Sequence, residues 1–377
     1  MKRITALVLL AMLTLVTPLY AASPAKMLVY VDKSSQSFIP VGLLKSYEGI
    51  KVNYQSAQKK IDISMEDTNL TLYVGKRTAY VNGKKTEIKA APFRDNGNTF
   101  VPLQFISQHL NLNISWNKDT SSVQISQGET TTPLPVLSGT LIPSSSKPIV
   151  SSRKSFKVGS RTFSAQTVTV SLLHPKVELG VVLAGNKVGK VEDLRSLAKR
   201  NNAVTAINGT FFDAYSPGSY RTPYGYIVGG GNLLKDSPAD RRTVFTFDSN
   251  NLAQLLPGLD FKEHFTSGKS AGAVQAGPRL VVNGKVSLDV KKEGFRDPKI
   301  LTGGGARSAL GITKDHKLIL LTTGGATIPQ LAEIMKQAGA YQAMNLDGGA
   351  SSGLYYNGSY LTSPGRQISN AIIVKYK

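Results

Sequence analysis

Asn345-Leu346-Asp347-Gly348-Gly349-Ala350-Ser351-Ser352 places an amide, a carboxylate and two hydroxyls around adjacent glycines. A carboxylate in that setting can act as a base, attack an electron-poor carbon or steady a developing cation. The amide and hydroxyls can orient a polyhydroxylated ligand, and Gly348 and Gly349 let the backbone approach it closely. The same octet would also make a tight turn in which Asp347 caps its own backbone. A second cluster, Asn208-Gly209-Thr210-Phe211-Phe212-Asp213, repeats the combination of amide, glycine, hydroxyl and carboxylate. Asp213 is a second carboxylate candidate or, alternatively, the cap of the loop that follows Phe212.

Arg307 and Arg366 are candidate clamps for an anionic group through paired N–H donors, or else plain surface cations. Ser351 and Ser352 read as hydrogen-bonding or turn residues rather than nucleophiles. There is no Gly-Xaa-Ser-Xaa-Gly elbow, and His174, His264 and His316 fall in ordinary strand or turn contexts. Gly229-Gly230-Gly231 is followed by Asn232, which makes it a turn rather than a phosphate loop. The chain has no cysteine, which excludes disulfides and thiolate chemistry. Asp347 and Asp213 could help hold a hard divalent cation, but no spaced His or Asp cluster demands one, so the metal requirement stays open.

The elements that position these residues can be read from their periodicity. Val191 to Arg200 has helical spacing of Leu194, Leu197 and Ala198, and Ala203 to Ile207 reads as a strand leading to Asn208. Thr327-Ile328-Pro329-Gln330 is a capping box, followed by an apolar face of Leu331, Ile334, Met335 and Ala338 and a short apolar run into the octet. The two units match at a spacing of 137 residues, aligning Leu194 with Leu331, Ala206 with Ala343 and Asn208 with Asn345. This pseudo-repeat predicts equivalent loops that carry both asparagines into one cleft. The strand pair Ala309 to Ile312 and Leu318 to Thr323, and a final strand Asn370 to Tyr376, complete the outline.

Upstream, Phe38-Ile39-Pro40-Val41 recurs 62 residues later as Phe100-Val101-Pro102-Leu103. Each copy predicts a short helix and two alternating strands, including a half-buried Asn111 to Trp116 and a hairpin turn at Asn117-Lys118-Asp119-Thr120. This module, residues 26–127, resembles the copper amine oxidase N-terminal-like stalk of exported bacterial proteins. The resemblance does not bring copper with it, since His109 is the module's one histidine. Residues 128–149 are rich in Ser, Thr and Pro and read as a semi-flexible linker. Residues 1–22 read as a cleavable secretory signal: Lys2 and Arg3, the apolar Ile4 to Val16, then small residues to Ala22.

In residues 150–377, Ala206-Ile207-Asn208-Gly209-Thr210-Phe211-Phe212 resembles the Ile-Asn-Gly-Xaa-Phe-Phe element of the phosphodiester glycosidase family, whose members include the N-acetylglucosamine-1-phosphodiester α-N-acetylglucosaminidases. Gly277-Pro278-Arg279-Leu280, Arg307-Ser308-Ala309-Leu310-Gly311, the opening octet and Gly365-Arg366 follow in family order. The resemblance implies hydrolysis of a sugar–phosphate diester. Asp347 and Asp213 are then the catalytic candidates. Asn208, Gly209, Thr210, Arg307, Asn345, Gly348, Gly349, Ser351, Ser352 and Arg366 are the candidates for binding substrate.

The expected fold class is α+β: a small stalk of short helices and hairpins, and a larger mixed α/β catalytic domain. A formal charge of +21 over 377 residues points to polyanionic partners. No zinc-finger spacing, recognition-helix pattern or RNP-like motif argues for nucleic acid, and no apolar run beyond the signal is long enough to span a bilayer. The expected protein is a secreted, wall-associated hydrolase acting on sugar 1-phosphodiesters of envelope glycopolymers or glycolipids. The rival expectation is a non-catalytic module that binds anionic wall polymers.

Overall fold

The computed structural model describes residues 26–377, and the signal segment read at 1–22 lies outside them. Among the described residues there are twenty-nine strands against nine helical segments, none longer than the ten residues of Ile328–Gln337. The strands form five sheets. This corrects the expected α+β class: both domains are mainly β, and the larger one is a sandwich rather than a mixed α/β domain. The physical reason lies in the connections. Most apolar runs are four to ten residues long and joined by tight turns, which suits hairpins and leaves no room for crossover helices. Among the described residues no helix is long and apolar enough to cross a membrane.

The N-terminal domain contains a five-stranded meander, Lys51–Gln55 to Lys84–Glu87, and a seven-stranded sheet. The repeated Phe-x-Pro segments are adjacent antiparallel strands, Ser37–Pro40 and Asn98–Pro102, with Ile39 opposite Val101. One helix of the repeat is a short 3-10 turn, Val41–Ser46, and the other an α-helix, Leu103–His109. Two sequence expectations change here. Asn113–Asn117 lies at the sheet edge with Ile114 and Trp116 exposed instead of half-buried. Thr130–Ser138, read as linker, pairs with Ser122–Gln127 on one side and with Val29–Val31 on the other. Its Pro and Thr content hid a strand whose partner lies a hundred residues away in sequence.

Three sheets of the C-terminal domain share one core. Leu318 and Leu320 of the strand Lys317–Ala326 point into it, with Leu310, Val168, Ile207, Ile372, Phe245 and Val274. The intervening Ile319 and Leu321 face the other way, beneath the helix Ile328–Gln337 and its Leu331, Ile334 and Met335. That strand is therefore apolar on both faces, which is why it reads as a continuous run. The helix Leu194–Arg200, capped by Asp193, covers the outer face of the opposing sheet in the same way. All strand pairs of this domain are antiparallel.

The strands Thr205–Asn208 and Gln342–Asn345 belong to facing sheets and end at the same rim. Beyond them the chains join: Asp347 N donates to Gly209 O, and Leu346 N to Ser308 O. The N-terminal domain docks at the other end. Gln342 Nε2 donates to Asp119 O, Asn283 Nδ2 to Asp119 Oδ1, and His316 Nε2 lies 3.0 Å from Ser121 O.

Candidate active site

Asp347 sits where the two sheets meet. Gly348 N donates to its Oδ1 at 2.9 Å. Its side chain stays in reach of solvent but is crowded by protein. Burial pushes the carboxyl up to about 6, against the opposing effects of a Ser351 hydrogen bond, the nearby Arg366 cation and the Gly348 amide. The group thus titrates near neutrality, as a working acid or base should.

Asn208 builds the support. Its Nδ2 donates to Asp347 O at 2.7 Å, and its Oδ1 accepts from Ser308 Oγ and Gly353 N. Asn208 therefore holds both ends of the 347–353 loop and is a positioning residue rather than a free ligand group. Gly209 is required by space: a Cβ there would stand 2.1 Å from Asn370 Oδ1. That same oxygen accepts from Thr210 N, and Asn370 Nδ2 donates to Thr210 Oγ1. Thr210 is consequently a buried structural partner of Asn370. Asn345 donates to Gly277 O at 2.8 Å, while its buried Oδ1 has no protein partner. Ser352 Oγ is likewise buried and unpartnered. An acceptor and a hydroxyl left unmatched on either side of Asp347 are places where a water or ligand group is expected.

The two arginines differ. Arg307 is buried and gives three N–H groups to the carbonyls of Ala326, Lys299 and Gly303. Only its Nη1 end remains, and it faces Gly348, where a Cβ would stand 3.8 Å from it. Arg307 thus supplies fixed positive potential under the loop and one pair of N–H donors, not the open clamp the sequence suggested. Burial lowers its pKa, opposed by the charge of Asp297. Arg366 is more open. Its Nη2 donates to Tyr215 Oη at 3.0 Å, and its guanidinium lies 5.2 Å from the Tyr215 ring centre.

Asp213 uses its carboxylate on its own loop. Oδ1 accepts from Tyr215 N and Ser216 N, both at 3.0 Å. Hydrogen bonds from Ser216 and Tyr215 hold its pKa below the usual range. The loop-cap reading of Asp213 is the one these contacts support. Gly348 packs closely against Ala306 O, Gly349 has a left-handed φ of 59°, and Ser351 is buried against Asp347. Sequence reasoning missed Ser308 and Asn370 as supports and Tyr215 as a partner of Arg366. Their only sequence signal was polarity at a strand position or an aromatic in a Ser/Gly-rich loop. Among the described residues no group of three or more His, Asp or Glu side chains is placed to hold a metal ion.

A cavity of about 630 Å³ lies at the domain junction, away from this site, bordered by Asp119, Arg279 and Glu293 among others. Its Arg279 is already held by Val281 O, Leu255 O and Gln342 Oε1, so it offers no unengaged constellation comparable to Asp347.

Residues 201–375 match the family described as phosphodiester glycosidase, and residues 23–125 the copper amine oxidase N-terminal domain. No curated protein matches the sequence. Among solved structures, a hypothetical protein from Synechocystis shares 14% identity at a TM-score of 0.55, over 91% of this chain and 94% of that one. The catalytic domain of zebrafish N-acetylglucosamine-1-phosphodiester α-N-acetylglucosaminidase, auto-inhibited by its pro-peptide, shares 20% identity at a TM-score of 0.53. It covers 62% of this chain and 86% of that one. At these identities the likeness is one of fold.

Proposed function

We propose that the C-terminal domain hydrolyses a sugar 1-phosphodiester, with Asp347 at the chemistry. The observation that carries this reading is the Asp347 carboxylate itself. It accepts from Gly348 N on a loop whose main chain Asn208 holds at the meeting of two sheets, burial pushes it up to about 6, and two arginines lie beside it. In the proposed reaction the anomeric C–O bond breaks and its electron pair leaves with the phosphate oxygen. Water adds to the anomeric carbon and releases a proton, giving the free sugar and a phosphomonoester. The ionised Asp347 steadies the oxocarbenium-like carbon and takes the water proton. A phosphate is a weakly basic leaving group. Positive charge from Arg366 and the Nη1 end of Arg307 therefore serves in place of a strong acid.

The proposed setting is outside the cytoplasm, on anionic glycopolymers or glycolipids of a cell envelope, with residues 1–22 as the export signal and the N-terminal domain as a stalk. The chain's +21 charge supports this and equally supports the rival, a non-catalytic binder of wall polymers. Sugar release from UDP-N-acetylglucosamine and wall-derived diesters, compared between wild type and Asp347→Asn with and without chelator, separates the two. Turnover lost in the folded variant supports the hydrolase. Salt-sensitive polymer binding without turnover supports the rival.

A further inference from the structure

A groove of about 320 Å³ opens beside the Asp347 loop. Its floor is a single register row across four strands: Arg153 pairs with Gln166, Gln166 with Thr322, and Thr322 with Ser308. Cross-strand partners share a face, so these side chains line one polar track. Its open part runs from the exposed edge strand Ile149–Val158 inward to Thr322, and the row continues beneath the surface to the buried Ser308, the residue that bonds Asn208. Two residues along each inner strand, the same face carries Val168, Leu320 and Leu310, all fully buried in the core. The face therefore turns from apolar to polar as it reaches the site. Thr362 of the opposing sheet roofs the track, bonding Thr322 Oγ1 through its own hydroxyl at 2.6 Å. Ser352, whose hydroxyl has no partner and which is 4% exposed, lines the inner end.

Three further observations define the ligand chemistry. Hydroxyls and an amide at fixed spacing suit the hydroxyls of a sugar ring. Gly324 and Ala306 line the groove without bulk and leave room for such a ring. At the outer end, Arg153 Nε donates to Ser164 Oγ at 2.9 Å, which leaves both Nη groups free. Among the described residues no carboxylate forms an ion pair with Arg153. From Thr322 to Arg153 the open row spans two strand spacings, roughly 10 Å, room for a sugar and the phosphate attached to it.

We propose that this groove is a second substrate subsite. It takes the unit next to the scissile one in an anionic glycan chain, with its sugar over Gln166 against Thr362 and Gly324 and its phosphate on Arg153. The substrate is then a sugar–phosphate polymer rather than an isolated sugar diester. The inference rests on the phosphodiester glycosidase reading, so its test uses binding instead of turnover. Calorimetry on the full chain carrying Asp347→Asn would compare one-unit and four-unit fragments of an N-acetylglucosamine 1-phosphate polymer. The expected result is tighter binding of the longer fragment, reduced about tenfold by Arg153→Glu and severalfold by Gln166→Leu, with the one-unit affinity unchanged. Equal affinity for both lengths, indifference of the longer fragment to both substitutions, or no binding of it at all would overturn the subsite. Wild-type turnover of the one-unit diester is a separate readout. Its absence would sink the hydrolase reading while leaving the binding result to stand or fall alone.

Discussion

The strand Gln342–Asn345 serves two masters at its two ends. At one end Gln342 donates to Asp119 of the N-terminal domain, and its Oε1 receives Arg279. At the other, past Asn345, the chain delivers Asp347 to a rim shared by two sheets. About five residues, or ~16 Å of extended chain, separate the two functions. At the docking end Gln342 Nε2 and Asn283 Nδ2 are matched to Asp119 across the domain boundary, and Gln342 Oε1 is matched to Arg279 within the C-terminal domain. At the catalytic end a carboxylate is crowded, a carbonyl oxygen and a hydroxyl lack partners, and Arg307 keeps one pair of donors unspent. Unmatched polar groups cost stability, and Ser121 Oγ at the docking end is also buried without a partner; what sets the catalytic end apart is that its unmatched hydroxyl lies beside a crowded carboxylate and an unspent guanidinium end.

The sharpest way to break this contrast is Asp347→Asn. Turnover of a sugar 1-phosphodiester should fall by ~10³-fold while the fold is kept. Arg366→Gln should come next, at ~10²-fold in kcat with a smaller change in KM, because phosphate charge grows as the C–O bond breaks. Steady-state kinetics on the folded variants checks both. A loss of less than threefold in either would remove that residue from the chemistry.

The two ends should also answer pH with opposite signs. The Asp347 carboxyl is raised to about 6. Between about pH 4 and that value the native state keeps a proton that the unfolded chain has released, so stability at this site falls as pH rises through the window. His316 is buried against Ser121 O, and burial lowers its pKa, opposed by Ser121 and Asp315. Its unfolded ring takes up a proton near pH ~6.5 that the native ring resists, so stability at the docking end falls as pH drops below that value. Asp347→Asn should therefore stabilise the protein by ~1–2 kcal/mol at pH 7.5 and by nothing near pH 4. Denaturant melts across pH would show it. In turnover, the same carboxyl predicts an acid limb near pH 6, since the ionised form does the work.

How much of this was legible in the sequence depended on range. The octet's place past a strand, the capping box at Thr327 and the tandem Phe-x-Pro repeat are local patterns, and the structure carries all three. The matched helix–strand units do end at one rim, but the shared cleft expected for their asparagines is not formed: Asn208 bonds Ser308 Oγ on the core face, while Asn345, opposite Ala309, points to the other face and bonds Gly277 O. Asp213's contacts lie within three residues, so the loop-cap alternative was visible from the start. Sheet topology was not, because a doubly buried run such as Leu318 to Leu321 looks alike in parallel and antiparallel sheets. Nor was the fate of Arg307, whose donors are taken by carbonyls of a short helix and the turn after it. Thr130–Ser138 became a strand through pairing with Val29–Val31, a partner no local window contains.

The smallest effect, and the one that most directly tests the division between the ends, belongs to Gln342→Ala. The substitution removes donors to Asp119 O and Asn283 Oδ1 and leaves Arg279 Nη2 without Gln342 Oε1. Losing a partner at a buried cation costs more than the net worth of a hydrogen bond, so ~1–3 kcal/mol of stability should go. Limited proteolysis should report looser docking of the N-terminal domain. Turnover should change less than twofold, because the backbone ladder that holds Asn345, with Ala309 opposite it, does not use the Gln342 side chain. If turnover instead fell tenfold with the fold intact, the docked domain would be shaping the Asp347 loop. The two ends of the strand would then have to be treated as one coupled site.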